Sequence, residues 1–208
     1  GQEGAIRQVH NPATGKSLGQ VRFLSPEQTQ EKINAAQPWG VASRERATIL
    51  RRTADLFEDH AEELFALLTQ EAGKTLPDCI GELREAVDFL RYYACQSEVL
   101  SDAEAGVFTC ISPWNFPLAI FTGQIAAALA AGNAVLAKPA ESTSMIAYFA
   151  TELMHKAGVP AAALHLLAGD GPKLGACLCS SDKVTGVCFT GSTKTAQTIN
   201  RLMARHLP

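Results

Sequence analysis

Residues 106–141 read GVFTCISPWNFPLAIFTGQIAAALAAGNAVLAKPAE, and this stretch decides the fold. Residues 107–111 and 134–137 are short runs of β-branched and apolar side chains. Between them, residues 118–131 are apolar over a length that suits a helix rather than a strand, and Gly132-Asn133 ends the run. The same β-then-α unit recurs outward along the chain. Residues 134–137 lead into 142–157, with Ser142 as the N-cap; 164–167 lead into 172–179; 184–189 lead into 193–205. Four such units with short joins predict a parallel sheet flanked by helices, an α/β, Rossmann-like core. No residue from Gly106 to Ala137 is charged, but Pro113, Asn115 and Pro117 interrupt the run. What remains unbroken is shorter than the ~20 residues of a membrane span.

Upstream the pattern differs. Asn11-Pro12-Ala13-Thr14-Gly15-Lys16 between short apolar runs predicts a hairpin over residues 8–24. Ser25-Pro26-Glu27 supplies an N-cap, a first-turn proline and an acid, so a helix starts there. Apolar residues spaced by three and four predict one helix over 44–70, ended by Gly73-Lys74. A second is predicted over 79–95, with Leu83, Ala86, Val87 and Leu90 on its apolar stripe and Glu82, Arg84, Glu85 and Asp88 off it. Residues 1–105 carry a net charge of −6 and residues 106–208 a net charge of +3. That shift divides the chain into a hairpin and helical layer, 1–105, and the Rossmann-like core, 106–208.

A chain that is 47% hydrophobic with a net charge of −3 is not disordered, and 21 acidic against 18 basic residues do not suit a nucleic-acid binder. Six cysteines (Cys79, Cys95, Cys110, Cys177, Cys179 and Cys188) form no CxxC, and no histidine is spaced with them for zinc, so no metal site is expected. They read as reduced thiols of a cytoplasmic protein. There is no basic-then-apolar leader. The chain opens at Gly1 without methionine, as a piece of a longer protein would.

In parallel sheets of this kind ligands bind outside the carboxyl ends of the strands. The first strand ends at Ile111-Ser112-Pro113-Trp114-Asn115-Phe116-Pro117, where two prolines stiffen the backbone around an amide. Asn115 either polarises a carbonyl or bonds its own turn. The second ends at Lys138-Pro139-Ala140-Glu141, a cation and a carboxylate that either grip a ribose or form a surface ion pair. The third ends at Gly169-Asp170-Gly171, which lacks the usual dinucleotide spacing. The fourth ends at Phe189-Thr190-Gly191-Ser192-Thr193, either a phosphate cradle or a capped loop.

Taken in order and spacing, these strand ends resemble the aldehyde dehydrogenase superfamily. The runs Glu71-Ala72-Gly73-Lys74-Thr75, 84–94 and 110–131 resemble, within it, the glutamate-semialdehyde (1-pyrroline-5-carboxylate) dehydrogenase modules of proline utilization A. The resemblance implies that Asn115 donates to the aldehyde oxygen and that Lys138, Ala140 and Glu141 hold the adenosine ribose of NAD. Gly171 would sit by the adenine; Gly191, Ser192 and Thr193 would meet the pyrophosphate; Ile111, Ser112, Pro113 and Trp114 would line the nicotinamide half. It implies NAD over NADP, because Glu141 would repel a 2′-phosphate. Lys194 departs from the family, which often carries Glu there.

The family's general-base Glu and nucleophilic Cys lie in motifs absent from these 208 residues. The intact enzyme would form a thiohemiacetal, pass hydride to NAD and hydrolyse the thioester. This chain is therefore expected to bind NAD, to contact a catalytic half or a second copy, and to be inactive alone. The alternative is a non-catalytic structural or assembly module of the same family.

Overall fold

The computed structural model describes residues 4–99 and 104–205. The opening hairpin pairs β1 (Ile6–His10) with β2 (Ser17–Arg22), antiparallel. Asn11 Oδ1 turns the chain by accepting from the backbone N–H of Ala13 and Thr14. Helix α1 (Pro26–Ala35) starts in a full capping box: Ser25 Oγ accepts from Gln28 N–H, and Gln28 Oε1 accepts from Ser25 N–H.

The single helix expected over 44–70 is two, α2 (Ser43–Asp59) and α3 (Ala61–Glu71). The break is His60, whose φ of −104° and ψ of 28° lie outside the helical region. Periodicity misses it because the apolar stripe, Leu50, Phe57, Leu64 and Leu68, stays buried through the kink. Gly73, at φ +67°, ends this arm in the left-handed conformation glycine tolerates. Helix α4 (Leu76–Val99) then runs longer than the 79–95 expected.

The core sheet holds β3 (Val107–Ile111), β4 (Ala134–Lys138), β5 (Leu164–Leu166) and β6 (Gly186–Phe189) in the order β5-β4-β3-β6, all parallel. Helices α5 (Ala119–Ala130), α6 (Ser144–Ala157), α7 (Gly171–Cys179) and α8 (Thr193–Met203) follow the four strands. The sheet faces separate by strand alternation. Cys110, Val135, Ala137 and Leu164 pack with α2 to α6 in the larger core. Val107, Ala134 and Leu136 pack with Ile33 of α1 and Leu174 and Leu178 of α7 in a smaller one. The larger core is continuous from the N-terminal helices into the sheet, so the layer and the sheet bury one another. Among the described residues no helix is long and apolar enough to cross a membrane.

Two expectations fail at the joint between layer and sheet. Ser142 does not cap a helix: residues Glu141–Thr143 form a 3-10 turn, and α6 has no side-chain cap of its own. Glu71, at the end of α3 and 4% exposed, does that work instead. Its two oxygens accept from Met145 N–H and Ile146 N–H, both at 2.8 Å. Nor does Glu82 lie off the buried stripe of α4; it is 1% exposed. Both reversals have one cause. A carboxylate goes inside when uncompensated helix N–H groups are there to receive it.

Burial pushes the Glu71 carboxyl above the usual carboxylate range, against the backbone N–H bonds that pull it down. With the folded-state value raised, the stability tied to this group is fully present below the unfolded glutamate pKa and is lost as pH rises through the folded one. Glu71→Ala strands two N–H groups and is expected to cost about 2 kcal/mol at neutral pH. Glu71→Gln, which cannot ionise, should gain on wild type in melting temperature as pH rises from 5 to 8. A pH-independent difference between the two would refute this account of the joint.

Candidate functional site

Because every strand of the core sheet runs the same way, the four strand ends open on one edge. The loop after β3 is fixed from below by α4. Glu82 Oε2 accepts from Leu118 N–H at 3.1 Å and Ala119 N–H at 3.0 Å, at the start of α5. Glu82 Oε1 lies 2.9 Å from Lys74 Nζ, and the Lys74 ammonium sits 4.4 Å from the centre of the Phe116 ring. One buried carboxylate thus ties the start of α5, the Gly73-Lys74 turn and the loop that carries Asn115. Lys74 and Glu82 stand eight residues apart in the sequence, and nothing in it places them inside together.

A groove of about 620 Å³ runs along this edge and brings together Ser112, Pro113, Trp114, Asn115, Ala140, Gly191 and Ser192. Asn115 is exposed on it, and Trp114 is 62% exposed. Ser112 is the opposite: its hydroxyl is buried at the strand end without a hydrogen-bond partner. Gln124, unread from the sequence, holds the two sides of the groove at one spacing. Its Nε2 donates to Ile111 O at 3.3 Å and to Thr190 Oγ1 at 3.0 Å, while Thr190 N–H donates to Ile111 O at 3.1 Å.

The adjoining cleft, about 390 Å³, is lined by Ile111, Lys138, α7 from Gly171 to Ala176 and one face of α8 from Lys194 to Leu202. Lys138 is 5% exposed and its ammonium donates to Pro139 O at 3.0 Å, leaving two of its three donors for a ligand. Burial pulls its pKa down, and the facing carboxylates of Glu141 and Asp170 push it back up. Glu141 Oε1 accepts from Gly171 N–H at 2.7 Å, so Lys138, Glu141 and Gly171 meet at one point. A Cβ on Gly171 would reach within 3.4 Å of Glu141 Oε1 and project among these groups. The spare Lys138 donors, the Glu141 carboxylate and the bare Gly171 fit the ribose of a dinucleotide.

The β6–α8 loop is less free than its sequence implies. Ser192 Oγ is engaged as the N-cap of α8, accepting from Thr195 N–H at 3.2 Å. Gly191 is required by its own neighbour, since a Cβ there would lie 2.6 Å from the Phe189 ring. Thr193 opens α8 and is exposed, outside both clefts. A separate cavity of about 480 Å³ between β2 and α6, lined by Val21, Leu67, Met145 and Phe149 among others, holds none of these residues.

The cysteines lie away from the groove. Cys110 and Cys188 are matched in register on β3 and β6 and face the larger core. A hydrogen bond from Cys110 brings Cys188 down to about 6, and the same pairing, with burial, raises Cys110. Among the described residues no group of three or more His, Cys, Asp or Glu is placed to hold a metal ion.

Replacing Glu82 by Gln should break the tie beneath the Asn115 loop. The expected cost is about 3 kcal/mol, with amide hydrogen exchange at Leu118 and Ala119 faster by at least tenfold. Unchanged protection at those two amides would show that Glu82 does not hold the loop.

The chain matches the aldehyde dehydrogenase family over residues 1–208. It is 49% identical to the bifunctional protein PutA of Klebsiella aerogenes over 99% of its own length and 16% of that protein. Its backbone is similar to that of a crystallised bifunctional proline utilization A protein (TM-score 0.86, 44% identity, 90% of this chain and 21% of that one). It is similar also to an aldehyde dehydrogenase of Brucella melitensis biovar abortus 2308 (TM-score 0.91, 32% identity, 97% of this chain and 46% of that one). The chain therefore spans about one sixth of the PutA sequence it matches and under half of the shorter enzyme.

Proposed function

The chain belongs to the aldehyde dehydrogenase family, and we propose that it is the NAD-binding part of a member that oxidises L-glutamate γ-semialdehyde to glutamate in proline catabolism. The meeting of Lys138, Glu141 and Gly171 at the sheet edge carries this reading. In it, residues 106–208 form the cofactor-binding part and residues 1–105 the layer that supports it. When bound, NAD supplies the hydride acceptor.

The rest follows from the chain's own groups. The second oxygen of Glu141 accepts from a ribose hydroxyl, and the spare donors of Lys138 bond the ribose oxygens. The open N–H groups of the first turn of α8 receive the phosphates, and Ser112 with Pro113 and Trp114 lines the nicotinamide half. Asn115, exposed at the groove mouth, donates its amide to the aldehyde oxygen. Oxidising an aldehyde by hydride transfer also needs a nucleophile to make a tetrahedral centre first. None of the six cysteines lines the groove, so this chain binds cofactor without turnover.

Calorimetric titration should show NAD binding that Lys138→Ala and Glu141→Ala each weaken by about tenfold. Unchanged affinity in both would remove the assignment, and with it the case against a purely structural module. Glutamate semialdehyde with NAD should yield no NADH from the chain alone. Turnover that Cys188→Ser abolishes would identify a nucleophile this reading has misplaced.

A further inference from the structure

The sheet topology places two thiols, Cys110 and Cys188, side by side. They are direct register partners on the parallel strands β3 and β6, and both face the larger core. Neighbouring strands lie about 4.8 Å apart, within the roughly 4.4–6.8 Å between α-carbons that a disulfide spans. The two thiols already touch, with Cys110 donating a hydrogen bond to Cys188. Among the described residues β6 pairs with β3 alone, so it can settle toward β3 without leaving a second neighbour. The other cysteines are placed differently. Cys79 and Cys95 stand sixteen residues apart on α4, and Cys177 and Cys179, two apart on α7, point to different faces.

The pair is also unequal. Cys110 is 1% exposed, whereas Cys188 is half-buried, so a small solute meets Cys188 first. The hydrogen bond from Cys110 brings Cys188 down to about 6 against burial, which leaves it largely thiolate at neutral pH. An accessible thiolate with a second thiol behind it is the arrangement of an attacking and a resolving cysteine.

We propose that Cys110 and Cys188 are an oxidative modification site, a dithiol that hydrogen peroxide closes to a disulfide latching β3 to β6. The Cys188 thiolate attacks one peroxide oxygen: an S–O bond forms, the O–O bond breaks, and the departing hydroxide takes up a proton as water. The Cys110 sulfur then attacks the Cys188 sulfur of this sulfenic acid. The S–S bond forms, the S–O bond breaks, and the hydroxyl leaves with the Cys110 proton as a second water. Two thiols lose two electrons, and one peroxide gains them. The link falls one residue before Ile111 and two before Thr190, which a hydrogen bond from Thr190 N–H to Ile111 O and the Gln124 bridge already join. A covalent tie there keeps both sides of the groove together when those bonds open.

Hydrogen peroxide treatment of the 208-residue chain, followed by peptide mapping in a mass spectrometer, makes the test. Wild type should yield a Cys110–Cys188 linked peptide pair, lighter by two hydrogens, that dithiothreitol separates. Amide exchange at Thr190 should slow by about tenfold or more in the linked chain and recover on reduction. In Cys110→Ala the resolving thiol is gone, and dimedone should trap Cys188 as its sulfenic acid. In Cys188→Ala, Cys110 should stay reduced. The wild-type readouts stand alone, so a variant that fails to fold leaves the test intact. Cys95, the exposed cysteine, serves as the internal control. Oxidation of Cys95 while Cys110 and Cys188 stay reduced overturns the proposal, as does a Cys188 that passes to sulfinic acid without linking. A linked pair with unchanged exchange at Thr190 overturns the latch.

Discussion

The arrangement depends on two carboxylates taken out of water to meet helix N-termini. Glu82 receives the first N–H groups of α5 and the Lys74 ammonium; Glu71 receives those of α6. Either charge buried alone would be prohibitive, and either helix start left uncapped in the interior would strand donors. Together each defect satisfies the other. The consequence reaches the site, because α5 and α6 begin where the loops after β3 and β4 end. The N-terminal layer is in this sense a jig for the sheet's working edge, set by hydrogen bonds rather than by apolar contact alone.

The edge itself is a product of strand direction. Four parallel strands deliver four loops to one side, and Gln124 bridges two of them by bonding Ile111 O and Thr190 Oγ1 together. The groove divides into a part lined by exposed residues, where Trp114 and Asn115 stand open, and a part around the buried ammonium of Lys138. An exposed amide and a buried cation serve different ends. The first is open to a small molecule entering from outside, and the second is fixed in place by its surroundings.

The charge asymmetry along the sequence acquires a place in this picture. The acidic excess belongs to the hairpin and helical layer, and the sheet half is net positive. Within that half, lysines stand at the second strand end and in the first turns of α7 and α8. Two of them, Lys138 and Lys194, line the smaller cleft. Positive charge and the positive ends of helices therefore coincide at this edge of the sheet.

How much of this was legible beforehand depends on the range of the interaction concerned. The four β-then-α units, their parallel order and the capping box at Ser25 follow from residues within a few positions of one another, and the structure has them where the pattern places them. The clustering of Lys138 with Glu141 is local too, since only Pro139 and Ala140 separate them. Gly171 joining that pair is not: it comes from thirty residues past Glu141 through the packing of α7 against β3 and β4. Gly191 and Ser192 read from sequence as ligand contacts; what only the fold adds is that Ser192 Oγ also caps α8 and Gly191 also clears the Phe189 ring. Glu82 looked solvated by pattern, because periodicity scores a carboxylate as surface wherever it falls, and nothing local marked Glu71 as a cap. Sequence alone determined the elements and the edge at which they would be used. Only the tertiary structure decided which polar groups go inside, because a buried charge is stabilised by partners far along the chain, and no local pattern records where those partners will be.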